Sequence, residues 1–423
     1  MHCLIFEDQA VQNLEPVTLM RPAYRMTCGG GQLIELAERL TPATSVIVRN
    51  HLKAIAALDD RIADRPMGTK LLIMNARLVP SPRTFRTLQN MIRADSASIA
   101  IVDNQIAAAF LPEGLTDSDR MQFGQFEEYL GQLPLRMIAT DLALIDRPYQ
   151  LVQKHLTTLT DTLNDRIASA EFHEIADGVF ARPGFTLDAS HHLDTQHGPI
   201  LLENGVKLGS HLVIRGPVFL DRNAVVNDHA SVYEHVYVGK NSKVGGELVA
   251  SVLEDYSNKQ HHGFLGHSYL GSWVNLGAGT SNSNLKNTYG EVRMGERDHR
   301  IATGMQFLGC VMGDYSKAAI NTSIFTGVTI GVCSMLYGFI LSNVASFCNS
   351  APSIGGLTTS IPAEVVIEVQ KRMFRRRGIE QQSAHVQLIR DVHQIVCQER
   401  DLPCRSPFVH EEEFQAQGML GSP

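Results

Sequence analysis

The sequence predicts three units of different architecture: an α/β domain over residues 1–180, a parallel β-helix of hexapeptide repeats over 181–347, and a helical tail over 348–423. Three patterns predict them. Buried-strand runs alternate with helical spacings in the first unit, an apolar pair recurs at every sixth position from Val206 onward, and helical spacing returns after a breaker-rich link.

In the first unit, Cys3-Leu4-Ile5-Phe6, Ser45-Val46-Ile47-Val48, Leu71-Leu72-Ile73-Met74 and Ile99-Ala100-Ile101-Val102 are short runs of the kind that fills a sheet covered on both faces. Between and after them, Leu33, Leu36, Ala37 and Leu40, and later Val152, Leu156, Leu159, Leu163 and Ile167, keep helical spacing. Strands and helices in alternation imply a mostly parallel sheet.

The second unit is set by the pairs Val206/Leu208, Leu212/Ile214, Val218/Leu220, Ala224/Val226, Ala230/Val232 and Val236/Val238. Two residues one apart point to the same side of a strand, and a constant advance of six stacks each strand on an earlier copy. Glycine follows the pair at Gly209, Gly239, Gly245, Gly271, Gly277 and Gly331, where a corner is expected to need a conformation that a side chain obstructs. The register slips between Ala250 and His262, resumes through Leu270 and Leu276, stops from Ser281 to about Arg300, and restarts at Cys310/Met312. Interruptions of a solenoid fall at corners, where insertions build binding surface.

The link Pro352–Gly356 leads into the tail, where Val365, Val369 and Met373, then Val386, Ile389, Val392 and Val396, recur at helical spacing. This tail is expected to pack on the solenoid end or on a neighbouring subunit. The composition is globular, with 44% hydrophobic and 19% charged residues, and the net charge of -7 supplies no general basic field for nucleic acid or an acidic membrane. No apolar run is long enough to span a bilayer, so a cytoplasmic protein with neither nucleic-acid nor membrane partner is expected. Seven scattered cysteines, none in a C-x-x-C spacing, read as reduced packing residues. His267, His299, His191 and His192 lack a ligand spacing, and no metal site is expected from them.

Both interruptions are rich in polar groups: Tyr256, Ser257, Asn258, Lys259, Gln260, His261 and His262 at the first, Asn282, Asn284, Lys286 and Asn287 at the second. Imidazole titrates near neutrality and can accept a proton from an attacking amine or hydroxyl, while Asn and Lys can hold sugar hydroxyls or phosphate.

The run from His261 to Asn284, HHGFLGHSYLGSWVNLGAGTSNSN, resembles the acetyltransferase half of the bifunctional N-acetylglucosamine-1-phosphate uridylyltransferase/glucosamine-1-phosphate acetyltransferase. A related family of two-domain sugar nucleotidyltransferase-like proteins is resembled over nearly the whole chain, through Phe6-Glu7-Asp8, Asn13-Leu14, Arg21-Pro22, Asn75-Ala76-Arg77-Leu78-Val79-Pro80, Tyr256-Ser257-Asn258-Lys259 and Asn284-Leu285-Lys286-Asn287.

The resemblance implies a left-handed β-helix that forms a homotrimer and uses acetyl-CoA or another acyl-CoA as co-substrate. It places the catalytic base four residues before Leu265, at His261, with His262 the alternative. Tyr256, Asn258, Lys259, Asn284 and Lys286 become the expected contacts to a sugar phosphate or nucleotide sugar. Ala278, Thr280, Arg375 and Arg376 become the expected contacts to coenzyme A. Members of the nucleotidyltransferase class open with a Gly-rich phosphate loop and a magnesium-binding aspartate; here Phe6-Glu7-Asp8-Gln9 follows the first strand, and Asn75-Ala76-Arg77 stands where Gly-Asp is expected. Arg21, Arg25, Asn75 and Arg77 remain as nucleotide contacts, Thr27-Cys28-Gly29-Gly30-Gly31 as an anion loop, Asp8 and Asp103 as carboxylates, and Mg2+ only with an active N-terminal domain. Three readings stay open: an acyltransferase, a bifunctional enzyme that also makes the nucleotide sugar, and a non-catalytic trimeric scaffold or sensor.

Overall fold

A computed structural model describes residues 1–64, 68–115, 122–169, 171–187, 190–296 and 299–400, except for the side chains of residues 296, 299, 399 and 400. The N-terminal sheet comprises β1 (His2–Phe6), β2 (Thr44–Ile47), β3 (Leu71–Asn75), β4 (Ser98–Val102), β5 (Gln105–Leu111) and β6 (Arg136–Ile138), in the order β2-β1-β3-β5-β4-β6. Helices α1 (Leu33–Leu40), α2 (Lys53–Ala56), α3 (Pro82–Ala94), α4 (Phe126–Gln132) and α5 (Pro148–Ala168) accompany it. All four expected strands form. The sheet is mostly parallel, with one exception: β5 runs antiparallel to both β3 and β4. The run Ala107-Ala108-Ala109 that fills β5 has neither alternation nor β-branched residues, so the local signal for a strand is weak there.

Beyond His173 the chain winds into a three-sided coil. Its first face stacks Ile200–Leu202, Val218–Leu220 and Val236–Val238, with Ile200 opposite Val218 and Val218 opposite Val236. The second face stacks Lys207–Leu208, Val225–Val226 and Lys243–Val244, and the third Val213–Arg215 and Ser231–Val232, at the same spacing. Three hexads per turn account for the beat. At the slip near Ala250 the coil is unbroken but short of corner residues: Tyr237 meets Val252, where a full turn would bring it to Asp255. At the second interruption Tyr269 meets Val311, well beyond the length of one turn. The excess is an excursion containing an antiparallel hairpin, Arg293–Glu296 with His299–Ala302.

The glycines act by close approach rather than by unusual torsion. A Cβ on Gly277 would lie 2.6 Å from the Ala319 carbonyl carbon, and one on Gly239 2.7 Å from the Leu253 oxygen, so the next coil leaves no room. The left-handed corner positions instead carry Asn223, Asn241, Tyr256, Trp273, Tyr315 and His267, all at positive φ.

On the first face the outer residues of each triplet point into the coil, while the middle ones, Leu201, Phe219, Tyr237, Val252, Tyr269 and Val311, belong to the core of the N-terminal domain. Helix α5 lies against them: Arg166 sits over the Phe219 ring, and the buried His155 Nε2 contacts the His235 oxygen at 3.1 Å. A buried polar cluster seals the contact. Arg21 donates to Asp314 and pairs with Glu254 at 3.0 Å; Thr27 donates twice to Glu254, and the Tyr269 hydroxyl donates to it as well.

The tail forms α6 (Ala363–Arg376) and α7 (Ser383–Arg400). It runs along the corner between the first and second faces, with Phe374 4.8 Å from the Trp273 ring, and α7 packs on α2 of the N-terminal domain. The expected docking on the solenoid end is thus replaced by docking along its side. Cys3, Cys28, Cys310, Cys333 and Cys348 are buried, and burial pushes the Cys28 thiol up to about 12 and Cys310 to about 11; Cys404 lies outside the described residues.

Removing one member of a buried ion cluster leaves the others charged and unpaired, which costs about 3–5 kcal/mol. Arg21→Ala is therefore expected to lower stability by that amount, read as a fall in the urea midpoint, with the first loss in probes of domain docking.

Candidate functional site at the corners of the coil

The strand Phe264–Gly266 separates two corners of the β-helix. His261 and His262 precede it and His267 follows it, so about 10 Å of extended chain lies between them. The structure brings Asn284 to His267: its amide Nδ2 is 2.9 Å from the imidazole Nδ1. His267 takes a left-handed backbone conformation (φ 49°), and its main chain is held at both ends, the N–H donating to the Val249 oxygen at 3.1 Å and the carbonyl accepting from Gly309 N–H at 2.8 Å. Phe307, from the excursion, stacks on its ring at 5.4 Å. Asn282 fixes the strand beneath by accepting from Gly266 N–H and donating back to the Gly266 oxygen.

Burial, assisted by nearby His235, pushes the His267 pKa down to about 4, so the ring is neutral through the physiological range. An amide can meet imidazole with either end. With the Asn284 oxygen turned to Nδ1, Nδ1 carries the proton and Nε2 presents a lone pair, the tautomer a general base needs.

The other expected site residues divide among the corners. His261 and His262 are exposed, with Gln260 Nε2 3.3 Å from His261 Nε2. Lys259 is 2% exposed and donates to the Gly245 and His261 oxygens at 2.9 and 2.7 Å, so it braces that corner rather than facing ligand; burial pushes its pKa down to about 8. Ala278 and Thr280 lie one coil further at the same corner, and the buried Thr280 hydroxyl donates to the Ala319 oxygen. Lys286 lies on the excursion and donates to the Glu291 oxygen. Tyr256 and Asn258 are on the opposite side, Tyr256 stacked on Trp273 at 4.4 Å. They line a cavity of about 360 Å³ beneath α6 together with Lys243, Lys317, Arg376 and Arg377. Arg375 is exposed beside it and is not among the lining residues.

The N-terminal candidates are committed elsewhere. Arg77 is fully buried and spends its guanidinium on Asp8, Asp146, Gln105 and the Ile145 oxygen; Asn75 donates to Asp8 at 2.7 Å. Arg21 is in the interdomain cluster, and Arg25 faces Asp59 at 3.9 Å. Gly29 abuts Thr158 of α5, where a Cβ would meet Oγ1 at 2.2 Å, so the glycine turn is packed rather than open to an anion. Because Asp8 already accepts from Arg77 and Asn75, its carboxylate does not fit a divalent cation. Among the described residues no group of three or more His, Cys, Asp or Glu could hold a metal ion. No helix of the described residues is long and apolar enough to cross a membrane.

The chain thus joins an α/β domain to a hexapeptide-repeat β-helix that carries a histidine–asparagine contact at a coil corner. Residues 3–165 match the family described as sugar nucleotidyl transferase. The chain is related to bifunctional enzymes of that kind: it is 35% identical over 104 residues to a bifunctional sugar-1-phosphate nucleotidylyltransferase/acetyltransferase of Sulfurisphaera tokodaii, covering 24% of this chain and 26% of that one. It is 23% identical over 236 residues to the bifunctional protein GlmU of Trichormus variabilis, covering 52% of this chain and 48% of that one. The chain therefore spans less than half the length of either relative. A solved UDP-N-acetylglucosamine acyltransferase of Francisella novicida aligns with 56% of this chain and 84% of its own at 11% identity, with a TM-score of 0.26.

A histidine NMR titration tests the corner directly. The His267 resonance is expected to titrate near pH 4 and to move toward the ~6.5 of a solvated imidazole when Phe307→Ala opens its flank.

Proposed function

We propose that the chain is a transferase acting on a sugar phosphate or nucleotide sugar, and that it transfers an acyl group from an acyl-CoA at the His267–Asn284 corner. The observation that carries this reading is the contact between Asn284 and His267, which supplies an oriented imidazole in a half-buried site. His267 Nε2 takes the proton from the acceptor nitrogen or oxygen as that atom bonds to the thioester carbonyl carbon. The C–S bond then breaks, and the imidazolium returns its proton to the leaving thiolate. His261 and His262, at the far end of the strand, are in this reading bystanders to the proton transfer, and Ala278, one coil from them at the same corner, is a bystander too.

Thiol release from acetyl-CoA with glucosamine 1-phosphate as acceptor tests the assignment. His267→Ala is expected to lower kcat by about 10²–10⁴-fold and His261→Ala by less than about threefold. The reverse order would restore His261 as the base. Unchanged thiol release in both variants, or none in the unaltered protein, would favour a scaffold. A second reading, nucleotidyl transfer by the N-terminal domain, is favoured by the family match over residues 3–165. It requires magnesium-dependent pyrophosphate release from a nucleoside triphosphate and a sugar 1-phosphate.

A homotrimer is proposed as the working form. Ile320, Phe325, Phe339 and Leu341, 44–69% exposed in the last coils, gather apolar surface of the kind that marks an interface. Light scattering is expected to give three times the chain mass, and Phe339→Asp with Leu341→Asp to give the single chain.

A further inference from the structure

The cavity between the second face of the coil and α6 has no role in the chemistry above. It measures about 360 Å³, within the ~300–1,000 Å³ range of small-molecule sites, and four of its walls are cationic: Lys243 and Lys317 from strands of the second face, Arg376 and Arg377 from the end of α6. Among the described residues no carboxylate lines it. Among the described residues none of the four is in a salt bridge, whereas Arg372 and Arg390 of the same helical pair are matched by Glu368 and Glu364. The polar atoms that do touch these cations are neutral acceptors: Lys317 Nζ donates to the Tyr315 oxygen at 2.8 Å, and Arg377 Nη2 to the Asn258 amide oxygen at 3.1 Å.

Like charges gathered in one partly enclosed space repel, and each further cation raises the cost of the last. Such a cluster is stable as a binding site for a multiply charged anion and is hard to account for as packing. We infer that this cleft binds the pyrophosphate group of a small molecule, with the two lysines as point charges and the arginine pair as the bidentate arm. The Trp273 side chain, stacked on Tyr256 and touching Phe374 at a tilt, forms the adjoining apolar wall. A pyrophosphate occurs both in an acyl-CoA donor and in a nucleotide sugar. The choice between those two sources rests on the transferase reading above; the anion site itself does not.

Isothermal titration calorimetry on the full chain, with inorganic pyrophosphate, coenzyme A and a uridine diphosphate sugar as separate probes, tests the site. Saturable binding of at least one probe is expected, weakened tenfold or more in Lys243→Gln and in Arg376→Gln, and reduced by added salt. Both positions are surface-accessible, so circular dichroism is expected to stay unchanged, and Lys317→Gln is added only if it also keeps its fold. Coenzyme A binding tighter than pyrophosphate assigns the cleft to the donor; the sugar nucleotide binding tighter assigns it to the acceptor; either supports the site. No saturable binding of any probe, or binding unchanged when Lys243→Gln and Arg376→Gln are combined, overturns it. The two proposals fail separately: His267→Ala is expected to keep anion binding while losing thiol release. Intact binding without any His267-dependent acyl transfer would sink only the transferase reading.

Discussion

Everything else in this molecule depends on one shared wall. The middle residues of the first-face triplets, Leu201, Phe219, Tyr237, Val252, Tyr269 and Val311, point out of the coil and are part of the same core as Cys3, Leu33, Leu159 and Leu163. A sheet buried on both sides must be apolar at consecutive positions, which is why first-face strands read Ile-Leu-Leu and Val-Phe-Leu while second-face strands read Lys-Val and Asn-Lys. The Arg21–Glu254–Asp314 cluster is tolerable within that wall because each carboxylate also accepts hydrogen bonds from neighbouring N–H or O–H groups. With the first face occupied, ligands and other copies of the chain are left with the second and third faces and their corners.

That division sorts the charged groups. At the C-terminal ends of β1 and β3, where open α/β sheets usually receive ligands, Asp8 and Asp146 are bridged by Arg77, and the local charge is already satisfied. On the coil the reverse holds. Among the described residues, His267 is oriented but keeps a ring nitrogen without a fixed partner, and the four cations under α6 have no acidic residue beside them in the cavity wall. His267 and these four cations are groups that folding leaves available, and they lie in the second half of the chain.

Much of the fold was legible because it repeats. The apolar pair at every sixth position needed no tertiary knowledge, and neither did α1, α5 or the strands of buried aliphatic residues, whose local patterns agree with their surroundings. β5 was not legible, since three alanines in succession carry no period. The corner glycines were recognised at the right positions for the wrong reason: their torsions are ordinary, and the next coil a few ångströms away excludes a Cβ. The candidate site was half legible. Asn284 stood out as a polar residue of the second interruption, whereas its contact with His267 joins residues 17 apart in sequence across one coil, and no local pattern records that.

By itself the sequence determined the classes of structure: a period of two within a period of six makes stacked short strands, and apolar triplets on every third strand mark a face that something must cover. It could not say what covers it, because a buried face records only the absence of water. Only the tertiary structure decided that the N-terminal domain lies on the first face, that the tail runs along the coil rather than capping it, and that Tyr269 and Val311, on either side of the excursion, are neighbours. The pairing of His267 with Asn284, and the meeting of Lys243 and Lys317 with Arg376 and Arg377, follow from that stacking. Proximity between distant residues is a property of how coils and helices pack, and no local pattern encodes it.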